Sequence, residues 1–235
     1  MAVTAIESGE GAASPASPEV EDLRLGIVGA GKFGTTLARA AIAAGYDVAI
    51  SGSGPAEEIA LAVEVLAGAR AATTDEVVRD ADIIILAVPT HRFRELPNDL
   101  FAGKILVDAM NYWAPVDGAD PELTAAPNGT SAIVQERFPS ARVVKSLNQL
   151  GYHQLEETSR SRGAPDRIAV GAAGDDRVAV EKVLQVLDRL GFDPVDAGPL
   201  ANGAALEPDG SPIAATYSAD ELSKRVSRQV ASRFD

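Results

Sequence analysis

The chain contains no cysteine. That absence excludes disulfides, thiolate zinc sites, iron–sulfur clusters and a catalytic thiol. Histidine is scarce as well, with two in 235 residues, so a metal site built from several imidazoles is not expected, and no metal ligand is assigned. Long apolar runs are missing. The strand-sized run 83–88 falls well short of the roughly 20 residues that span a bilayer, so no membrane partner is expected. Positive charge is outweighed: 21 Lys and Arg stand against 34 Asp and Glu, a formal net charge of −13. A surface that acidic repels phosphate backbones and argues against nucleic acid as a partner. Residues 1–18 lack the basic n-region and the apolar h-region of a signal peptide. With the missing cysteines, this leads to the expectation of a cytoplasmic protein.

The composition that remains is 46% apolar and rich in Ala, Val and Gly, enough for one core with a small appended lobe. Residues 1–21 are mostly Ala, Ser, Gly, Pro and Glu and bury too little to offset their ordering entropy, so a disordered N-terminal arm is expected there. Residues 22–150 alternate strand and helix signals. Strands are expected over 25–28, 47–50, 70–72, 82–88, 104–108 and 142–147. A helix carrying Phe33, Leu37, Ala40 and Ala41 closes at Gly45. Pro55 suits the first residue of a helix running through Ile59, Val63 and Val65. Thr74 is a candidate cap for the next. The unbroken run 83–88 fits a strand covered on both faces, as in parallel sheets.

Residues 151–235 read as a C-terminal αβ extension and tail helix packed on the same domain. Strands are expected over 168–172 and 194–196. Between them lies a helix capped by Asp175, with Val180, Val183, Leu184, Leu187 and Leu190 on one face and Gly191 at its end. Ser218 and Glu221 fit a capping box for the tail helix. Its apolar face is Leu222, Val226 and Val230, and Lys224, Arg225, Arg228 and Arg233 make the rest basic. Docking on the domain, a dimer contact and a frayed end all fit this pattern. The strand–helix order predicts an α/β Rossmann fold: a doubly wound, mainly parallel sheet with a short C-terminal αβ extension.

The sequence Gly29-Ala30-Gly31-Lys32-Phe33-Gly34 is a G-x-G-x-x-G directly after a strand and opening a helix. Gly29 permits the tight turn. Gly31 lets a pyrophosphate approach the main chain, and Gly34 lets helix and strand pack closely. Free amides and the helix dipole then hold the phosphates locally, which an acidic molecule requires. After the second strand come Ser51, Gly52 and Ser53, and no carboxylate appears before Glu57. A carboxylate there would repel a 2′-phosphate, whereas hydroxyls and glycine amides accept one. NADP is therefore favoured over NAD, although no arginine stands in this turn.

In a doubly wound sheet the ligand lies across the carboxyl ends of the strands. Three segments should converge there: residues 88–92 (Val88, Pro89, Thr90, His91 and Arg92), with Ala87 before them; residues 109–113 (Ala109, Met110, Asn111, Tyr112 and Trp113); and residues 148–151, beginning with Asn148. Apolar surfaces and amide side chains suit a flat, neutral ring bearing a carboxamide. His91 could contact the coenzyme or face water. Trp113 reads as core or pocket wall. Lys145, three residues before Asn148, is a weak catalytic candidate because it falls inside a strand. No G-x-S-x-G, H-E-x-x-H or Walker loop is present, and no catalytic residue is assigned.

The stretch Gly26 to Gly34, the strand end Ala87-Val88-Pro89, the stretch Val143 to Asn148 and the late Asp196-Ala197-Gly198-Pro199-Leu200 together resemble the NADPH-dependent deazaflavin reductases, also called coenzyme F-420-dependent NADP oxidoreductases. The resemblance runs over roughly residues 23–206. Ser53 stands where members usually carry an arginine for the 2′-phosphate. The reductase domains of membrane metalloreductases share much of the pattern. The resemblance implies two coenzymes, NADP and a deazaflavin (F-420), with hydride passing directly between their rings. Cofactors then carry the chemistry and the protein orients them. Gly198 to Leu200 and Asn202 are candidate contacts to the second ring. Two other readings stay open: an NADPH-dependent reductase of a flavin, imine or small carbonyl, which needs a proton donor such as Tyr112, His91, Lys145 or Tyr152, and a non-catalytic NADP(H)-binding regulator. A homodimer is compatible with the sequence.

Overall fold

The computed structural model describes residues 23–66, 68–208 and 216–231. The arm expected over 1–21 and Arg233 of the tail lie outside them. Strand β1 (Arg24–Val28) leads through α1 (Lys32–Ala43) to β2 (Asp47–Ser51), then through α2 (Ala56–Glu64) to β3 (Ala69–Ala71), then through α3 (Thr74–Asp80) to β4 (Ile83–Leu86). A short 3-10 helix, Thr90–Glu95, precedes β5 (Ile105–Asp108). Three short helices, α4 (Ala114–Asp117), α5 (Pro121–Thr124) and α6 (Thr130–Arg137), lead to β6 (Arg142–Ser146). Then follow α7 (Tyr152–Glu157), β7 (Ala169–Gly174), α8 (Arg177–Arg189), β8 (Asp193–Gly198), a second 3-10 helix (Leu200–Leu206) and α9 (Ala219–Ala231).

The eight strands form one sheet in the order β3-β2-β1-β4-β5-β6-β7-β8. The strands from β1 to β6 are mutually parallel. This is the Rossmann-type α/β sheet the sequence predicts. The strand order reverses at β1, which has β2 on one side and β4 on the other, so the crevice for a ligand opens above β1.

Alternating residues of β4 explain why its sequence is apolar throughout. Ile83 and Ile85 join the core under α1 and α8, with Leu37, Ala41, Val180, Val183 and Leu187. Ile84 and Leu86 join the opposite core, with Val77, Phe93, Phe101 and Phe138. Phe101 and Phe138 meet edge to face at 4.9 Å between ring centroids, a geometry aromatic quadrupoles favour. At the other end of the strands, Arg24 clasps Asp82 through its backbone and side chain. The side-chain bond from Arg24 holds the Asp82 carboxyl below its usual range.

The C-terminal part departs from a simple continuation. β7 pairs antiparallel with β6, and β8 runs parallel to β7. The cause is the connection after β6. Helix α7 packs on α1 at the ligand edge, with Arg39 paired to Glu156, so the chain re-enters the sheet from the edge it left. A third cluster joins β7 and β8 to α9 through Ala169, Val195, Ala197, Leu222 and Val226, with Val230 packed against it. The Ser218–Glu221 capping box is present, and Arg225 donates to the Ala205 carbonyl at 2.8 Å. The apolar face of α9 thus packs on β7, β8 and the second 3-10 helix.

Several local expectations shift. The cap of α3 is Thr73, which accepts from the Glu76 N–H while Glu76 accepts from the Thr73 N–H; Thr74 is the first helical residue, and its hydroxyl donates to Ser51 at 3.1 Å. The cap of α8 is Asp176, which accepts from the Ala179 N–H at 2.9 Å; Asp175 instead receives the Leu200 N–H. Pro55 is the cap residue of α2 and Ala56 its first residue. Val65 follows that helix and is exposed, as is Leu61.

Candidate functional site: the glycine turn and its cleft

Each of the three motif glycines has its own constraint. Gly29 has φ +127°, and a Cβ there would lie 2.3 Å from the Ala87 carbonyl oxygen. Its N–H donates to the Ser51 carbonyl at 2.9 Å, so the turn is locked between the ends of β2 and β4. A Cβ on Gly34 would lie 1.8 Å from the Gly29 carbonyl oxygen, which fixes helix α1 close against the turn. Gly31 differs: a Cβ there would meet nothing within 4 Å, although the residue lines the cleft. The space a side chain would fill is the space a ligand can use.

Gly31 is the cap residue of α1 and offers no side chain to its first turn, which has no acidic residue. Thr35 N–H is the first to reach back, to the Gly31 carbonyl. The N–H groups of Gly31, Lys32, Phe33 and Gly34 donate to no acceptor among the described residues. Unpaired amides at the positive end of a 12-residue helix suit an anion, and a dinucleotide pyrophosphate fits this cradle.

The cleft above the turn has a volume of about 530 Å³, a size usual for small-molecule sites. Of the residues expected at the coenzyme, Gly29, Ala30, Gly31, Gly52, Ser53, Ala87, Val88 and Pro89 line it. Lys32, Phe33 and Gly34 sit in the first turn of α1 behind the lining. Lys32 places its ammonium 5.6 Å from the Tyr152 ring centroid. Ser51 is fully buried and receives the Thr74 hydroxyl, so it supports the turn from beneath. The lining also contains Arg92, from the segment expected there after β4, and Val28, Ile59, Thr74, Glu95 and Leu96, which the sequence did not single out for the site. Ile59 was legible as an apolar helix residue. Glu95 carried no periodic signal.

At the ends of β5 and β6, the structure gathers a sealed polar cluster. Lys145 has no solvent exposure; its Nζ lies 3.3 Å from Asp108 and donates to the Met110 carbonyl at 2.7 Å. Asp108 also accepts from Ser131 at 2.5 Å and from the Met110 N–H at 3.0 Å. Leu147 follows with φ +65°, outside the region most side chains adopt, and turns Asn148 inward. The Asn148 amide donates to Asn111 Oδ1 and the Leu206 carbonyl and accepts from Gln149, while Asn111 donates to the Asn148 carbonyl. Met110 and Asn148 are buried. They act as the frame of this edge, and Asn111 is the partly exposed member.

His91 is exposed on the first 3-10 helix, 3.6 Å from Asp117. Asp117 also accepts from the N–H groups of Thr90 and Trp113, so it ties the segment after β4 to the one after β5. Neither His91 nor Trp113 is part of the cleft lining. Gly198 to Leu200 do not reach the ligand edge. Strand β8 runs opposite to β1, and the Leu200 N–H bonds to Asp175 beyond the far end of β7. Asn202 donates to the Ala197 carbonyl. The reversal of β7 thus places Gly198 at the opposite end of the sheet from the glycine turn, and the 3-10 helix that follows runs back to Leu206, whose carbonyl accepts from Asn148.

Comparison with known proteins adds likenesses to three single proteins and to one family model. The rat metalloreductase STEAP3 is 26% identical over 186 residues, a match covering 78% of this chain and 36% of that protein, so the chain spans about a third of that relative's length. A hypothetical protein of Sinorhizobium meliloti, SMa0349, has a solved structure that matches with a TM-score of 0.70 at 26% identity, covering 83% of this chain and 95% of that one. A structure from Arthrobacter sp. FB24, described as a candidate F420-dependent NADP reductase, matches with a TM-score of 0.67 at 24% identity, covering 77% and 87% of the two chains. Among the described residues no helix is long and apolar enough to cross a membrane. Residues 24–112, the part that holds the glycine turn and most of the cleft, match the family model of the coenzyme F420-dependent NADP oxidoreductases.

Proposed function

We propose that the protein is an NADP(H)-dependent oxidoreductase that passes hydride between the nicotinamide and a deazaflavin coenzyme of the F-420 class. The observation that carries this reading is the glycine turn: unpaired amides beneath an open cleft, in a segment that matches an NADP oxidoreductase family. The bound dinucleotide would supply the migrating hydride at C4 of its nicotinamide. The residues of the chain do the rest. Gly31 to Gly34 hold the phosphates, and Gly52 and Ser53 take the adenosine end. Ala87, Val88 and Pro89 guide the chain of the coenzyme toward the ends of β5 and β6.

The choice of acceptor draws support from the match of residues 24–112 to the F420-dependent family and from the scarcity of free proton donors among the described residues around the cleft. Reduction of an imine or carbonyl needs an acid at the reacting atom. Lys145 is sealed. The Tyr112 hydroxyl donates to the Gly118 carbonyl and receives the Asp120 N–H. His91, exposed on the first 3-10 helix, stands 3.6 Å from Asp117, and Tyr152 stacks on His153 at 4.1 Å between ring centroids. Ring-to-ring hydride transfer asks for no protein acid at the migrating hydrogen, only for two rings held at reacting distance, which removes roughly 7–11 kcal/mol of barrier. A second reading, reduction of a metal complex, draws support from the metalloreductase relative.

The test is an assay of purified protein with NADPH and oxidised F-420, following loss of the visible absorbance of the deazaflavin. Turnover is expected. Oxidation of NADPH by ferric complexes or by a flavin, with no deazaflavin turnover, would replace the acceptor. Tight NADPH binding without turnover of any acceptor would leave a binding protein.

A further inference from the structure

We propose that Arg92, on the short helical turn after β4, supplies the cation for the adenosine 2′-phosphate, a charge that the turn after β2 does not provide. The proposal rests on the dinucleotide reading above and concerns only its phosphate end. Residues 52–55 after β2 are Gly, Ser, Gly and Pro, and the first turn of α2 adds Glu57 and Glu58. The Glu58 carboxylate lies over Gly54, where a Cβ would come within 2.4 Å of Oε2. On that side alone a phosphate dianion meets a hydroxyl and negative charge. Yet the same cleft is closed on its other side by Arg92, Glu95 and Leu96. This follows from the topology, because β2 and β4 flank β1 and their following loops rise on either side of the glycine turn.

The side chain of Arg92 is set for the task. Its Nε donates to Glu95 Oε2 at 2.8 Å, which fixes the plane of the guanidinium. The described hydrogen bonds of this side chain use Nε alone, so its two terminal nitrogens remain as a fork. A fork of N–H donors matches phosphate geometry. The group is half-exposed, at 46% for the side chain, so a ligand in the cleft can reach it. Ser53, exposed on the facing wall, adds a hydroxyl donor. Glu95 has two effects: it orients Arg92, and its charge is offset by that contact.

Calorimetric titration of the full chain tests the assignment with two pairs of probes: NADPH against NADH, and 2′,5′-ADP against 5′-ADP. The unmodified protein should prefer the phosphate-bearing member of each pair. Arg92→Gln should weaken that member by about 10- to 100-fold, the worth of a charged hydrogen-bond pair, and leave the other within about threefold. Arg92→Lys should restore part of the preference. Equal weakening of NADPH and NADH would mean that Arg92 stacks on the adenine ring, and it would overturn the proposal. So would an unchanged preference in Arg92→Gln. If the unmodified chain bound none of the four probes, the dinucleotide reading itself would fall, a result distinct from either.

Discussion

A lysine with no solvent exposure needs a counter-charge, and Lys145 has one in Asp108. Its role follows from its bonds. The ammonium holds the Met110 carbonyl, and Asp108 holds the Met110 N–H and the Ser131 hydroxyl. Lys145 therefore shapes the turn that presents Asn111 and reaches no substrate. Replacing one partner of a buried pair leaves the other unpaired at about 3–5 kcal/mol, whereas replacing both costs much less. Lys145→Met is expected to lower stability by about 3 kcal/mol in equilibrium urea unfolding. Addition of Asp108→Asn should recover more than half of that loss. A Lys145→Met midpoint equal to that of the unmodified protein would contradict this account.

At the scale of elements, the helix ends show how a one-residue shift separates two jobs. Asp176 caps α8 by accepting from the Ala179 N–H, and its neighbour Asp175 holds Leu200. Asp176→Ala should cost about 1 kcal/mol, as loss of a cap does, and should speed hydrogen exchange at the Ala179 amide. Asp175→Ala should speed exchange at Leu200 and leave Ala179 protected. The opposite pattern would return the cap to Asp175.

The same scale shows what was legible in the sequence. The strand expected over 82–88 was readable at its centre, Ile83–Leu86, because both faces are buried there, although Ala87 and Val88 already belong to the turn, and the glycine turn was readable because its three residues answer three separate steric demands. The direction of β7 was not readable. It depends on α7 packing against α1, a contact between residues more than a hundred positions apart. Helices α4, α5 and α6 are too short for a periodic signal. Asn148 was identified as a polar group near the ring, yet its amide is consumed by Asn111, Leu206 and Gln149. Arg92 was legible only as the end of a segment expected at the ligand edge, without a role of its own, and Glu95 was not singled out, since only the tertiary fold brings its side chain to the cleft.

Across the whole molecule, a net charge of −13 opposes any anionic ligand at long range. Local donors must then outweigh the field, and within the turn they are main-chain N–H groups with no acceptor among the described residues, beside a Gly31 whose added Cβ would meet nothing within 4 Å. Gly31→Val isolates that feature. Its φ of −76° and ψ of −175° suit any residue, and the added atoms project where nothing lies within 4 Å of the Cβ. The most direct measurement is a calorimetric titration of this variant with NADPH beside its thermal melting. The account predicts folding stability within about 1 kcal/mol of the unmodified protein and affinity lowered by at least about tenfold. A variant that melts as before and binds NADPH as tightly as before would contradict it.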